Sequence, residues 1–418
     1  MSLAQMSDPI LSVLTARLIY MTTDLHASPK IVSSALPESL RAAVIFAAAV
    51  AVVNGFGRFA YALLLPVMRD DLHWDYALSG WLNTANSAGY GIGALLGMML
   101  LSRTKPAVLF VWGLAIAVTT LLLCGITREL PIMIFLRFIC GIGSAWVFAC
   151  GGALIAAKYN SEPAKSASAI AIYYAGGGLG IATSGLLIYP VLNLDWAWPA
   201  GWLLLGVAGL ILSLWPAKLA LQIGGATASK NNATLPWRKF QTITWAYLLF
   251  GVGYIVYLTF VVAWLREMRL GNVAATMVWL VLGVACMGSG YVWKGVMARW
   301  QPTSTFAAAT LCTALGTALP LASQSFPVLL FSAVLVGGSF FMVPGAMMAL
   351  ARKTLPQPLW AKAMNFFTMI FAIGQAAGPV AAGWMADTYG MNTAMAAGAG
   401  VLVLAAGLAL LQRGNDND

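Results

Sequence analysis

Charged residues are scarce in this chain: Asp, Glu, Lys and Arg together make up 9% of it, and histidine occurs only at His26 and His73. With 61% hydrophobic residues, so little charge excludes a soluble globular domain, which carries about a quarter of its residues as charges. The five cysteines (Cys124, Cys140, Cys150, Cys286, Cys312) lack metal-binding spacing and read as packing residues, so no metal site is expected. No Gly-x-x-x-x-Gly-Lys-Ser/Thr loop occurs, which excludes ATP drive through such a loop. No nucleophile or acid–base constellation falls inside an apolar run, which speaks against an enzyme. The first forty residues lack a long apolar core followed by a small-residue cleavage site, so no removable signal peptide is expected. Within them ILSVLTARLIYM suits a short interfacial helix or, more simply, a mobile tail, with Met21 as an alternative start.

Long apolar runs are what the sequence has in abundance. Their punctuation predicts twelve spans, at 41–68, 77–101, 106–126, 131–157, 166–192, 198–221, 240–265, 273–298, 304–324, 326–351, 362–386 and 391–412. Each reads as a helix, because irregular backbone in hydrocarbon leaves peptide groups unpaired. The net charge of +10 points to nucleic acid only until the basic residues are located, since they lie in loops. Seventeen of the 23 fall in connections on the side of both termini. Arg69, Arg128, Arg266 and Arg269 fall on the other side, and Arg58 and Arg137 lie within spans. By the positive-inside rule both termini are cytoplasmic, and the expected location is a bacterial inner membrane.

The polar segment from Ile223 to Phe240 divides the chain, giving an N-terminal tail (1–40), a six-helix bundle (41–221), a central loop (222–239), a second bundle (240–412) and a C-terminal tail (413–418). The halves repeat one another. Gly55, Gly57, Arg58 and Tyr61 match Gly251, Gly253, Tyr254 and Tyr257, while Gly176, Gly180 and Gly185 match Gly374, Gly378 and Gly383. Trp81 and Gly97 likewise match Trp279 and Gly295.

On these features the chain resembles a major facilitator superfamily transporter over residues 40–412. GFGRFAYALLLPVM, RFICGIGSA, GVGYIVYLTF and GQAAGPVAAGWMAD are similar to its YbfB-like branch. The resemblance implies an all-α membrane carrier, a monomer without cofactor, whose two six-helix bundles rock about a central site lined by the first and fourth helices of each half. The sequence departs from the superfamily in two places. Leu101 and Ser102 stand where the loop between spans two and three usually has an acid, and GGGLGIATSG in span five lacks a proline.

Arg58 is the most informative residue. A charge at the centre of a span costs about 2.5–3.5 kcal/mol on insertion scales and ordinarily faces a cavity or a partner. Asn54, Arg58 and Tyr61 stand at i, i+4 and i+7 and are expected to share one face that binds the solute. Snorkelling of Arg58 towards Asp70 or Asp71 is the alternative. Arg137 reads either as a second solute contact or as a link to neighbouring helices, which the resemblance also implies, with Glu129 and Asp71 as available partners. All thirteen acids lie near span ends or in loops. Embedded arginine without embedded acid favours an anionic solute, because guanidinium binds carboxylate or phosphate with two parallel bonds.

Further lining candidates are Asn86 and Tyr90 on span two, Tyr254 and Tyr257 on span seven, and Gln375 on span eleven, whereas Asn83 and Asn365 read as helix bridges. Were transport coupled to protons, Asp70, Asp71, Asp75 and Glu267 would be the available carboxylates, although each equally reads as a solvated charge. Gly176/Gly180 and Gly374/Gly378, the latter beside Pro379, form small-xxx-small faces that read as sliding surfaces between bundles or as static packing. The expected function is secondary transport of a small organic anion. The alternatives are export of hydrophobic or neutral compounds, suggested by the Met- and aromatic-rich FFMVPGAMM, and a non-transporting receptor.

Overall fold

Residues 40–194, 196–225 and 235–412 are described by the computed structural model. The N-terminal segment, read as a short interfacial helix or a mobile tail, lies outside them, as do Asp195, half of the central loop and the C-terminal tail. Twelve helices run through the described residues: α1 (Arg41–Leu72), α2 (Tyr76–Leu100), α3 (Pro106–Cys124), α4 (Leu130–Lys158), α5 (Pro163–Asn193), α6 (Trp198–Ile223), α7 (Gln241–Glu267), α8 (Asn272–Arg299), α9 (Pro302–Ala322), α10 (Phe326–Thr354), α11 (Trp360–Tyr389) and α12 (Met391–Leu411). Eleven are long and apolar enough to cross a membrane. The exception is α2, whose Asn83, Asn86 and Ser87 are buried against neighbouring helices instead of being replaced by apolar residues.

Local chemistry sets the ends. Proline stands in the first turn of α3, α4, α5, α6, α9 and α10, where its missing N–H is no loss and its fixed φ suits the helix. Asp75 caps α2 by accepting the Leu78 N–H at 2.6 Å. His73, at φ 54°, closes α1 in the left-handed region. Within α10 the helix is interrupted at Phe340 and Phe341, since Pro344 has no N–H for the Phe340 carbonyl.

Helix α2 packs on α4, α3 on α4 and α6, and α5 on α1; in the second half α7 packs on α11 and α12, and α9 on α10 and α12. The halves meet where α2 lies on α11, α5 on α8, and the last part of α1 on α7. Large apolar side chains such as Trp112, Trp215, Tyr291 and Leu411 point outward, as a lipid-facing surface requires.

The glycine rows decide between two expectations, in favour of static packing. A Cβ on Gly176 would lie 2.1 Å from the Ala47 carbonyl oxygen and one on Gly180 2.3 Å from that of Ala51. A Cβ on Gly374 or Gly378 would similarly meet the carbonyls of Leu248 or Val252, at 2.1 and 2.7 Å. These rows therefore pack α5 on α1 and α11 on α7, inside each half, and are not sliding surfaces between halves. The reason is angular: about 100° per residue turns a position two further on to the opposite side of the helix. Gly178 accordingly meets Gly283 of α8, while Pro379 meets Gly80 of α2, so Pro379 does lie where the halves touch. Because Gly180 sits on Ala51 and Gly378 on Val252, the packing register of α1 and α7 is not the one that aligns Arg58 with Tyr254.

Candidate solute-binding site around Arg58

The centre of α1, Ala51–Phe59, is wound as a π-helix, with the Ala60 N–H bonded to the Gly55 carbonyl five residues back at 2.8 Å. Gly55 and Gly57 weaken the regular α-form here. Side chains from α4 take up carbonyls along the widened stretch: Ser144 Oγ donates to Val53 O at 3.3 Å, and Arg137 donates through Nη1 to Gly57 O at 2.5 Å and through Nη2 to Arg58 O at 3.2 Å.

Arg58 leaves this stretch towards the contact between the halves. Only 4% exposed, it donates through Nη2 to Gln375 Oε1 on α11, and Gln375 Nε2 donates to the Tyr254 hydroxyl on α7. Its guanidinium carbon lies 4.5 Å from the centre of the Tyr90 ring on α2 and 5.9 Å from that of Phe59. Every partner is neutral, and Arg58 Nε has none among the described residues. Asn54, on the same stretch, is buried with Oδ1 equally unpartnered. Towards the end carrying the α4–α5 and α10–α11 connections, Phe148, Tyr174, Phe341 and Phe371 are only partly buried. The structure thus brings together Arg58, Tyr90, Tyr254 and Gln375, from four helices.

Four other expected contacts lie elsewhere. Tyr61 does not share the face of Arg58, because the wider π-type turns rotate the chain less per residue than an α-helix does and so shift it off that face. Its hydroxyl donates to Ser79 O at 2.8 Å and its ring stacks on Trp202 at 6.2 Å. Arg137 pairs with neither Glu129 nor Asp71. It is buried as the brace on α1 just described, with Tyr61 and Trp202 beside it at 5.7 and 5.4 Å. Asn86 bridges α2 to α4 and α1, donating to Arg137 O at 3.1 Å and Gly57 O at 3.4 Å. Tyr257 bonds Ser332 of α10 at 3.0 Å. Each is a buried polar side chain that would be left unpaired in a dry interior without that bond. Asn83 is a bridge as read, donating to Thr259 of α7 at 2.6 Å.

Among the described residues, the acids other than Glu162 lie at the end that the charge count assigns to the outside, and most of them are engaged. Asp70 pairs with Arg69 and Arg266, each at 3.3 Å; Asp71 pairs with Arg128 at 3.3 Å and accepts from Trp198 at 2.7 Å. Glu267 accepts from the Tyr76 hydroxyl at 2.5 Å. Asp387, which sequence reasoning passed over, accepts the N–H groups of Tyr76 and Ala77. An acid in the last turn of a helix is disfavoured by its own dipole, and that was the available sign that it serves another helix. These contacts tie α2 to α7 and α11 at this end.

The family model described as "Uncharacterised MFS-type transporter YbfB" matches residues 49–410. YceJ of Bacillus subtilis (strain 168), an MFS-type transporter, is 29% identical over 255 residues, which cover 56% of this chain and 61% of that protein. EfpA of Mycobacterium tuberculosis (strain ATCC 25618 / H37Rv) is 26% identical over 190 residues, 45% of this chain and 35% of that one. The match thus spans less than two thirds of either relative. In fold, the nucleoside transporter NupG superimposes with a TM-score of 0.68 at 12% identity, over 90% of this chain and 99% of that one. The human organic anion transporter MFSD10 does so with 0.61 at 15%, over 89% and all of it. Twelve packed helices with an apolar exterior, and a family match through nearly all of them, make this chain a multi-pass membrane protein belonging to the YbfB family of the major facilitator superfamily.

Proposed function

We propose that the protein is a secondary transporter of a small organic anion, working by alternating access, with Arg58 as the residue that binds the anionic group. The observation that carries this reading is the company Arg58 keeps: a guanidinium buried at mid-span, held by an amide, a phenol ring and no carboxylate among the described residues. A buried charge without counter-charge is costly. A carboxylate or phosphate arriving with the solute relieves that cost. Halves 41–221 and 240–412 rock as units, both termini face the cytoplasm, and the ties at the Asp70–Glu267 end leave the solute to arrive from the cytoplasmic side.

Export of hydrophobic compounds is the second reading, favoured by an apolar groove of about 510 Å³ between α2 and α11 that Trp81, Ala376, Val380 and Trp384 line. Thermal unfolding of the purified transporter with panels of carboxylates and of lipophilic cations separates the two. Stabilisation by carboxylates alone is expected. Stabilisation by lipophilic cations alone would replace the first reading with the second.

A further inference from the structure

We infer that Gln375 is the built-in competitor of the solute: in the empty carrier its amide oxygen holds the place on Arg58 that the anion takes, and its displacement unties α11 from α1. This rests on the reading of Arg58 as the anion site. The geometry of the guanidinium is the first support. Nε–H and one Nη2–H point the same way and form the edge that grips a carboxylate with two parallel bonds. Here Nη2 is spent on Gln375 Oε1 while Nε is buried and unpartnered, so the edge is half filled. A carboxylate cannot take both bonds until Gln375 leaves.

The second support is position. Arg58 belongs to α1, and Gln375, steadied by Tyr254 of α7, belongs to α11, so this contact joins the two halves. Among the hydrogen bonds between halves named above, it lies nearest mid-helix, whereas Asn83–Thr259, Tyr76–Glu267 and Asp387–Tyr76 follow towards the end that carries Asp70 and Glu267. The third support is relative strength: both bonds are charge-assisted through Arg58, but a carboxylate adds an opposite charge and a second parallel bond, so the exchange favours the solute. An empty carrier then keeps its halves tied at mid-span, and a loaded one does not.

Two substitutions in the full-length carrier test this, with thermal unfolding titrated against lactate, benzoate and succinate. Gln375→Ala removes the competitor and is expected to respond at roughly tenfold lower anion concentration than the natural protein. Gln375→Glu ties a carboxylate to the same atoms, and is expected to melt higher than the natural protein and to lose its response to the anions. Unchanged or weakened binding in Gln375→Ala, with Arg58→Ala unresponsive, would overturn the competitor while leaving Arg58 as the site. A response that survives in Arg58→Ala, or no response in the natural protein and Gln375→Ala alike, would overturn the anion reading itself and the competitor with it.

Discussion

The carboxylate of Asp387, at the end of α11, accepts the backbone N–H groups of Tyr76 and Ala77 at the start of α2, both at 2.9 Å. One helix of the second half thereby caps one helix of the first, and the positive end of α2 favours the charge. Asp387→Ala removes the cap, worth about 1 kcal/mol, or about a fivefold shift towards the state open at this end. Ala263→Cys, buried beside Tyr76 and Glu267, reports it: a membrane-impermeant maleimide should label this cysteine several-fold faster when Asp387 is Ala. Equal labelling would mean that the cap does not hold the end shut.

Arg58→Ala should bind a responsive anion about ten- to a hundredfold more weakly, from a charge-assisted contact of about 1.5–3 kcal/mol. Arg58→Lys should restore little, since a point charge on a flexible stem does not reproduce the two-pronged contact. Melting temperature and affinity of the purified variants are measured together. A less stable Ala variant of unchanged affinity would make Arg58 a packing residue.

For Arg137 the opposite pattern is expected. Its guanidinium braces Gly57 O and Arg58 O, so Arg137→Met leaves buried carbonyls without these donors, at about 1–3 kcal/mol each. The variant should melt well below the natural protein while its folded fraction binds anion nearly as well. Lost affinity without lost stability would place Arg137 in the site after all.

Gly180→Ala would push a methyl to 2.3 Å from the Ala51 carbonyl, against backbone that cannot give way. Gly288→Ala meets nothing within 4 Å. Folded yield in detergent should collapse for the first and hold or rise slightly for the second, because alanine is the better helix former. Equal yields would show that α1 and α5 do not need this approach.

Orientation is tested by cysteines in two connections. Gly271→Cys, between α7 and α8, should react with an impermeant reagent applied to intact cells. Asn160→Cys, between α4 and α5, should react only after the membrane is breached. The reverse pattern would invert the topology.

Much of this protein was legible in one dimension, because a bilayer imposes a length on every span. Where hydropathy runs end, helices end, within a few residues from α1 to α12, and even the polar α2 was bounded by its neighbours. The strangeness of Arg58 was equally legible, since charge in hydrocarbon needs a reason wherever it packs. What the tertiary structure alone decided is who supplies that reason. Periodicity placed Tyr61 on the face of Arg58, but the π-helix at Ala51–Phe59 breaks the period, and no residue pattern announced it. Arg137 and Arg58 are both arginines within spans, and spacing alone names the partner of neither. One ends on backbone carbonyls of α1 and the other on Gln375, 317 positions away, because partners across helices are chosen by packing distance and not by spacing along the chain.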